Sequence, residues 1–402
     1  MIGGGFMIQK ELSIFKRFSI KDSVKNQKKL IVGEFWTAKQ RKANSLHEVS
    51  YRACFKPQLP SYFIKQLSNT EDIIFDPFAG RGTTILEAAL LGRGGISNDV
   101  NPISRIFLEA RLFPPTINEI QKRLAEIKLD KDEKADIDLS MFYHRYTEGE
   151  IVSLKNYLND RKISGKEDHV DKWIRMVATN RLSGHSKGFF SVYTFPPNQA
   201  VSREEQIKIN KKRKQVPSYR DVKSIILDKS KRLLKDVTPE TRETLLKTSP
   251  KIKLIEDNAA ELKSVPANTI DLTITSPPFL DVVSYSKDNW LRFWFNNISE
   301  EEVKKRITVL KNIDDWSEFM CKVFSELYRI TKFEGYVAFE VGEVRKGTIN
   351  LDEIVVKIGE SVGFKHILTL INKQNFTKTS NIWGVSNNEK GTNTNRIVIF
   401  KK

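Results

Sequence analysis

An α/β chain built on a mostly parallel sheet is predicted by three features of the sequence. Short apolar runs that read as strands alternate with segments of helical spacing. One run, Ile73-Ile74-Phe75, leads into a glycine-rich turn that opens a helix. Another, Ile270-Asp271-Leu272-Thr273-Ile274, stops at the proline pair Pro277-Pro278. The chain has 402 residues, 39% of them hydrophobic, which is enough for two or three modest domains and a real core.

Bulk numbers narrow the function classes. The formal charge is +17 and the pI about 9.5, an excess that favours a polyanion such as nucleic acid as partner. Two cysteines, Cys54 and Cys321, rule out a disulfide framework and a cysteine-rich zinc site. Five histidines without HExxH spacing give no metal motif, and no metal is expected. No apolar run is long enough to cross a bilayer. Residues Met1 to Leu30 are lysine-rich and lack the apolar centre of a signal peptide, so a cytoplasmic location is expected.

Taken in order, residues 1–30 read as a polar lead-in. An aromatic and basic stretch, Leu46 to Pro57, comes next, and Pro60 to Leu67 reads as a helix with proline near its start. Asp72 to Asp76 is a strand. The turn Pro77-Phe78-Ala79-Gly80-Arg81-Gly82-Thr83 and a helix from Ile85, ending at Gly92, form a cradle for a nucleotide-like ligand. Gly94 to Asp99 reads as a second strand ending in an acid. That acid lies about 20 residues past the glycines, the distance suited to ribose hydroxyls. The dinucleotide fingerprint fails because its third glycine would fall at Ile85, and no Walker A lysine follows.

Pro114-Pro115 marks a break. Helical spacing recurs over Thr116 to Ile127, Thr147 to Leu158 and Trp173 to Leu182. A polar loop, Gly184 to Phe190, carries Lys187 and precedes a basic region with Lys211, Lys212, Arg213 and Lys214. Lysine runs are often only solvated helix faces. Here they stand beside Phe189, Phe190 and Tyr193, as on nucleic-acid surfaces. The strand pattern resumes at Ile252 to Asp257, followed by Ile270 to Ile274. Trp316 to Thr331 reads as a helix, Glu334-Gly335 as a turn, Tyr336 to Val341 as a strand and Leu351 to Val362 as a helix. Lys365 to Ile371 and Asn395 to Phe400 close the sheet.

A proline pair after a strand is ordinarily a turn. Thr275-Ser276-Pro277-Pro278-Phe279 also offers a hydroxyl, outward carbonyls and a ring, a set suited to a planar group bearing NH2. Together with Asp76-Pro77-Phe78-Ala79-Gly80-Arg81-Gly82-Thr83, it resembles the amino-methylating DNA methyltransferases, which modify cytosine N4 or adenine N6 with S-adenosylmethionine (AdoMet). The resemblance covers about 1–111 and 251–402.

The resemblance implies a Rossmann-like AdoMet methyltransferase fold, with helices on both faces of the sheet and an inserted, mainly helical domain. It implies three regions: 1–111 for the AdoMet-binding half, 112–250 for a basic helical insert that recognises DNA, and 251–402 for the catalytic half. Phe78, Gly80, Gly82 and Thr83 would hold the methionine part of the cofactor, with Asp76 by its amino group. Asp99 would meet the ribose, and Asp257 with Asn258 the adenine amine. Ser276 and the Pro277 carbonyl would accept from the target amine, with Pro278 stiffening the loop and Phe279 stacking on the base. Tyr51, Arg52, Phe55, Lys56 and Pro57 resemble the segment that closes over the cofactor. Serine at 276 leans toward cytosine N4. Double-stranded DNA is the implied partner, and a cognate restriction endonuclease a further one. Two other readings stay open: an RNA base methyltransferase, and a non-catalytic DNA-binding protein on the same fold.

Overall fold

The computed structural model describes residues 30–33, 35, 43–52, 54–195, 200–278, 285–307, 310, 312–341, 343–344, 349–373 and 394–402. The polar lead-in, Phe279 and the connection 374–393 lie outside the described residues.

Apolar runs do become strands. They are β1 (Leu30–Gly33), β2 (Ile73–Asp76), β3 (Gly94–Asn98), β4 (Ile252–Ile255), β5 (Ile270–Thr275), β6 (Thr331–Val341), the two-residue pair β7 (Glu343–Val344) and β8 (Ile349–Asn350), then β9 (Lys365–Lys373) and β10 (Thr394–Lys401). Eight of them form one sheet in the order β1-β9-β10-β6-β5-β2-β3-β4, while β7 and β8 pair separately. Every neighbouring pair in the large sheet is parallel except those made by β10, which runs antiparallel to β6 and β9.

The path of the chain explains this order. From β2 it steps outward to β3 and β4, then returns to the other side of β2 as β5 and continues to β6. The winding therefore reverses between β2 and β5. In open α/β sheets the crevice at such a reversal, beyond the carboxyl ends of the strands, is where ligands sit.

Both faces of the sheet are covered, as the two-sided apolar strands require. On one face lie Ile74, Leu272, Ile274, Ala338, Ile397 and Ile399, in one core with the helices Gln58–Leu67, Thr83–Leu90 and Pro102–Leu112. On the other face Phe75, Val337, Phe339, Val398 and Phe400 pack with the helices Ile313–Ile330 and Leu351–Ser361. Alternation along β10 (Ile397 and Ile399 one way, Val398 and Phe400 the other) shows directly how one strand serves both cores. This is a Rossmann-like α/β architecture, with the antiparallel strand near one edge.

The described residues of 112–250 form six α-helices: Ile117–Glu126, Arg145–Ile163, His169–Arg181, Arg203–Arg213, Val222–Leu233 and Pro239–Thr248. Several are capped as their sequences dictate. Thr116 with Glu119, and Asp168 with Asp171, make reciprocal capping boxes. Buried Trp173, Phe142 and Leu158 belong to the same core as Ile74 and Leu272, so the helical region packs directly on one face of the sheet.

Some boundaries differ from the sequence reading. β3 stops at Asn98 and β4 at Ile255, each short of its acid, because the chain leaves the ladder to build loops. The turn at Glu334-Gly335 sits inside β6. Glu334 adopts φ 67°, and a side chain at Gly335 would meet the Asp271 carbonyl oxygen at 3.0 Å, so the strand kinks there and its register against β5 shifts. The helices Pro102–Leu112, Tyr285–Asn296 and Glu300–Arg306, and strand β1, are additions to the sequence reading.

Candidate active site

The glycine turn follows β2 and the proline pair follows β5, its neighbour in the sheet. The two loops thus leave the sheet side by side, at the reversal point. A hydrogen bond joins their roots: the Thr275 hydroxyl donates to Asp76 Oδ1 at 2.7 Å. A second tie runs from the Thr84 hydroxyl, in the first turn of the cradle helix, to the Ile274 carbonyl at 3.2 Å. Both threonines are buried.

Local chemistry shapes the cradle. Gly80 and Gly82 have φ of +55° and +76°, the left-handed region that disfavours side chains. A Cβ on Gly82 would also come within 2.9 Å of the Leu108 side chain. Asp76 Oδ1 accepts from the Phe78 amide at 3.1 Å, which turns the chain after β2. Asp99 Oδ2 accepts from the Gly80 amide at 2.7 Å, and Asp99 Oδ1 from the Asn101 amide at 2.9 Å. Thr83 begins the cradle helix and takes a hydrogen bond from Arg81 Nε at 3.1 Å.

Asp257 and Asn258 lie on the loop after β4. Both carboxylate oxygens of Asp257 are engaged by Ser264, through its amide at 2.7 Å and its hydroxyl at 3.0 Å. Asn258 Oδ1 accepts from the Ala260 amide at 3.0 Å. The loops after β2, β3 and β4 are sewn together by buried Asn98. Its side-chain amide donates to the Pro77 and Asp257 carbonyls, each at 3.0 Å, and its oxygen accepts from the Asp257 amide at 2.8 Å. Asn98 has a signal in hindsight: an amide at a parallel strand's carboxyl end, where neither a donor nor an acceptor alone would serve both neighbours.

The aromatic and basic stretch near residue 50 covers the cradle. Arg81 donates to the His47 and Val49 carbonyls at 3.1 and 2.8 Å, and to the Phe55 carbonyl at 3.4 Å. Buried Arg111 donates to the carbonyls of Leu46, Phe107 and Arg81. Asn101 bonds the Tyr51 hydroxyl, and Arg52 pairs with Asp288 at 2.6 Å, on the helix Tyr285–Asn296 that follows the proline loop. Tyr51 and Phe55 are thereby brought to the glycine turn, while Arg52 is tied to the helix after the proline loop. Arg81 and Arg111 hold them there, although nothing in the sequence reading singled those arginines out.

At the proline loop, Pro277 is buried and Ser276 and Pro278 are half-buried. The basic residues lie elsewhere. Lys187, Lys211, Lys212, Arg213 and Lys214 are all exposed. Arg213 stacks over the Tyr193 ring at 3.7 Å, and Gln206 and Gln215 both bond the Tyr193 carbonyl, which joins the Lys187 loop to the basic helix end. The chain just before that helix is tied to the Tyr285–Asn296 helix by the Ala200 amide on the Asp288 carbonyl and by the Trp290 indole on the Val201 carbonyl.

Burial sets the charge state of the cradle. It pushes the Asp99 carboxyl up to about 7, opposed by the Asn101 and Gly80 amides and reinforced by the nearby Asp76 charge. It pushes Asp76 up to about 6, opposed by the Thr275 and Thr84 hydroxyls. Asp76 Oδ2 is buried with no hydrogen-bond partner among the described residues. A buried carboxylate oxygen left open in a glycine-lined cradle fits a ligand carrying an ammonium group.

Sequence comparison finds similar proteins. Residues 8–105 match the N6_N4_Mtase family model, described as DNA methylase. The chain is 26% identical over 297 residues to the Type II methyltransferase M.BsoBI of Geobacillus stearothermophilus, covering 66% of this chain and 55% of that protein. The chain is thus similar to DNA methyltransferases of this family over part of its length. It is also 36% identical over 77 residues to the Type II methyltransferase M.MjaII of Methanocaldococcus jannaschii, covering 19% of this chain and 14% of that one. This methyltransferase relative thus spans about half the length of the first of those proteins and a smaller part of the second. A solved structure of a provisionally assigned DNA modification methylase from Thermus thermophilus, complexed with S-adenosyl-L-methionine, aligns with TM-score 0.24 and 20% identity over 36% of this chain and 53% of that one. No helix among the described residues is long and apolar enough to cross a membrane.

The raised Asp99 and Asp76 carboxyls give a pH signature. Between about pH 4 and 7 the folded chain keeps protons that the unfolded chain has released, so their contribution to stability falls as pH rises through that window. Urea unfolding midpoints of the ligand-free protein should fall less between pH 5 and pH 8 in Asp99→Asn than in the natural sequence. Parallel falls in both proteins would contradict the assignment of Asp99 as a group that is neutral when folded at low pH.

Proposed function

We propose that the chain is an AdoMet-dependent DNA methyltransferase that modifies the exocyclic amine of a base turned out of the duplex, with cytosine N4 the favoured target over adenine N6. The observation that carries this reading is the hydrogen bond between Thr275 and Asp76, which roots the proline loop and the glycine cradle at adjacent strand ends. A ligand in the cradle and a base at the proline loop would share one crevice.

The residues present fit the cofactor. Phe78, Gly80, Gly82 and Thr83 would line its methionine part, and the open oxygen of Asp76 would face its ammonium. Asp99 would meet the ribose, while Asp257 and Asn258 would border the adenine. When bound, AdoMet supplies a methyl group activated on a sulfonium.

The chain's own task is to prepare the nucleophile. An aromatic amine is weak because its lone pair is delocalised into the ring. Ser276 Oγ and the Pro277 carbonyl would accept its two N–H bonds, draw the nitrogen toward tetrahedral geometry and hold its lone pair in line. Neither proline has an N–H to compete for those acceptors. Phe279 would stack on the extruded ring. Extrusion costs a few kcal/mol of unstacking. Backbone contacts from Lys187, Lys211, Lys212, Arg213 and Lys214 would offset it, which makes 112–250 the DNA-holding region between an AdoMet-binding half (1–111) and a catalytic half (251–402). A paired restriction endonuclease fits a site-specific activity of this kind.

Incubation with DNA and methyl-labelled AdoMet, then nucleoside analysis, tests the reading. N4-methylcytosine is expected. N6-methyladenine would retain the activity and reverse the base preference, and label only in RNA would overturn the DNA assignment. Ser276→Ala should lower kcat roughly ten- to hundredfold, in keeping with loss of one catalytic hydrogen bond, with AdoMet Kd within twofold. Asp99→Ala should weaken AdoMet binding instead. A reversed pattern would reject the roles.

Replacing Lys211, Lys212 and Lys214 together by alanine should weaken binding to all duplexes alike. The slope of log K against log salt should shrink by roughly 0.9 for each phosphate that is no longer neutralised. An unchanged slope, read by fluorescence anisotropy across salt concentrations, would place the DNA elsewhere.

A further inference from the structure

The proline loop has an anchor that its own sequence does not contain. Pro277 and Pro278 carry no amide N–H, so neither can anchor the loop through a backbone donor of its own. Trp316 supplies the missing donor: its indole Nε1 gives a hydrogen bond to the Pro278 carbonyl at 3.2 Å. The ring is rigidly held. Trp316 is fully buried, in the same apolar cluster as Phe75, Met320 and Phe339. It lies in the first turn of the helix Ile313–Ile330, which Asn312 caps by accepting from the Asp314 and Asp315 amides, and the Trp316 amide itself bonds the Asn312 carbonyl.

We infer that Trp316 is a positioning residue for the methyl acceptor, its indole N–H holding the Pro278 peptide so that the adjacent Pro277 carbonyl and Ser276 stay aimed at the target amine. The inference rests on the proposed reading of the proline loop as the amine-binding element. Rotation of the Pro278 peptide would let the Pro277 carbonyl swing, since the two prolines move as one stiff unit. The indole occupies the Pro278 oxygen and selects between the two carbonyls: Pro278 is engaged by the protein, and Pro277 is left for the substrate.

The test edits a single atom pair. Site-specific incorporation of benzothienylalanine at position 316 replaces the indole N–H by sulfur and keeps the ring shape. The same edit at Trp294, whose Nε1 donates to Asp136 at 2.6 Å on the helical region, is the control. The expected result is a fall in kcat of roughly tenfold at position 316, the size of one hydrogen bond expressed in the rate. AdoMet Kd and the KM for DNA should stay within twofold, and the edit at Trp294 should leave kcat unchanged. Trp316→Phe, which also lacks the donor, should reproduce the kcat loss wherever it folds. An unchanged kcat at position 316 overturns the inference, as does a loss of AdoMet affinity parallel to the loss of rate. If the natural chain methylates no DNA at all, the underlying reading fails, and the inference with it.

Discussion

One hydrogen bond, from the Thr275 hydroxyl to the Asp76 carboxylate, ties the glycine turn to the proline loop. It joins the last residues of two strands that are 199 positions apart in the chain and adjacent in the sheet. Around it the winding of the fold reverses, so neither loop is pulled back over the sheet by a crossover on its own side. The bond also bears on charge. Thr275 stabilises the ionised form of a carboxyl that burial would otherwise hold neutral, and it leaves the second oxygen of Asp76 for a ligand. Under the proposed function, structural tie and binding group are the same side chain.

The cradle is stiffened from outside by groups that satisfy carbonyls. Arg81 and Arg111 together reach the carbonyls of Leu46, His47, Val49 and Phe55, and so clamp the 46–55 stretch across the glycine turn. Arg111 is fully buried, and all the acceptors it bonds among the described residues are backbone oxygens, so burial lowers its pKa to about 9. Asn98 performs a similar service between strands. These contacts show how a loop rich in glycine becomes a defined surface: the glycines permit the turn, and distant donors hold it.

Much of this was readable from the chain. The two strand-loop units could be placed because each combines a short apolar run with residues that restrict the backbone in opposite ways, Gly80 and Gly82 by permission, Pro277 and Pro278 by prohibition. The closing strands and the helices Ile313–Ile330 and Leu351–Ser361 followed from periodicity. The helix Tyr285–Asn296 was missed because its aromatic and polar residues alternate without a clean apolar stripe, its buried polar groups being satisfied by long-range partners such as Arg52. The roles of Trp316 and Arg111 were unreadable for a related reason. Their value lies in which carbonyl they reach, a matter of tertiary placement. The acids were placed to within two residues, but their local bonds were not foreseen: Asp257 spends both oxygens on Ser264, and Asp99 ties the Gly80 and Asn101 amides.

The central claim is that cofactor and target amine meet in the crevice between the ends of β2 and β5. A crystal structure with sinefungin, an unreactive AdoMet analogue, tests it most directly. The account predicts an analogue that touches Asp76 and Gly80 on one side, with its amine-bearing carbon facing Ser276 and Pro277 on the other. An analogue bound away from this crevice, or lying in the cradle with that carbon turned from the proline loop, would contradict it.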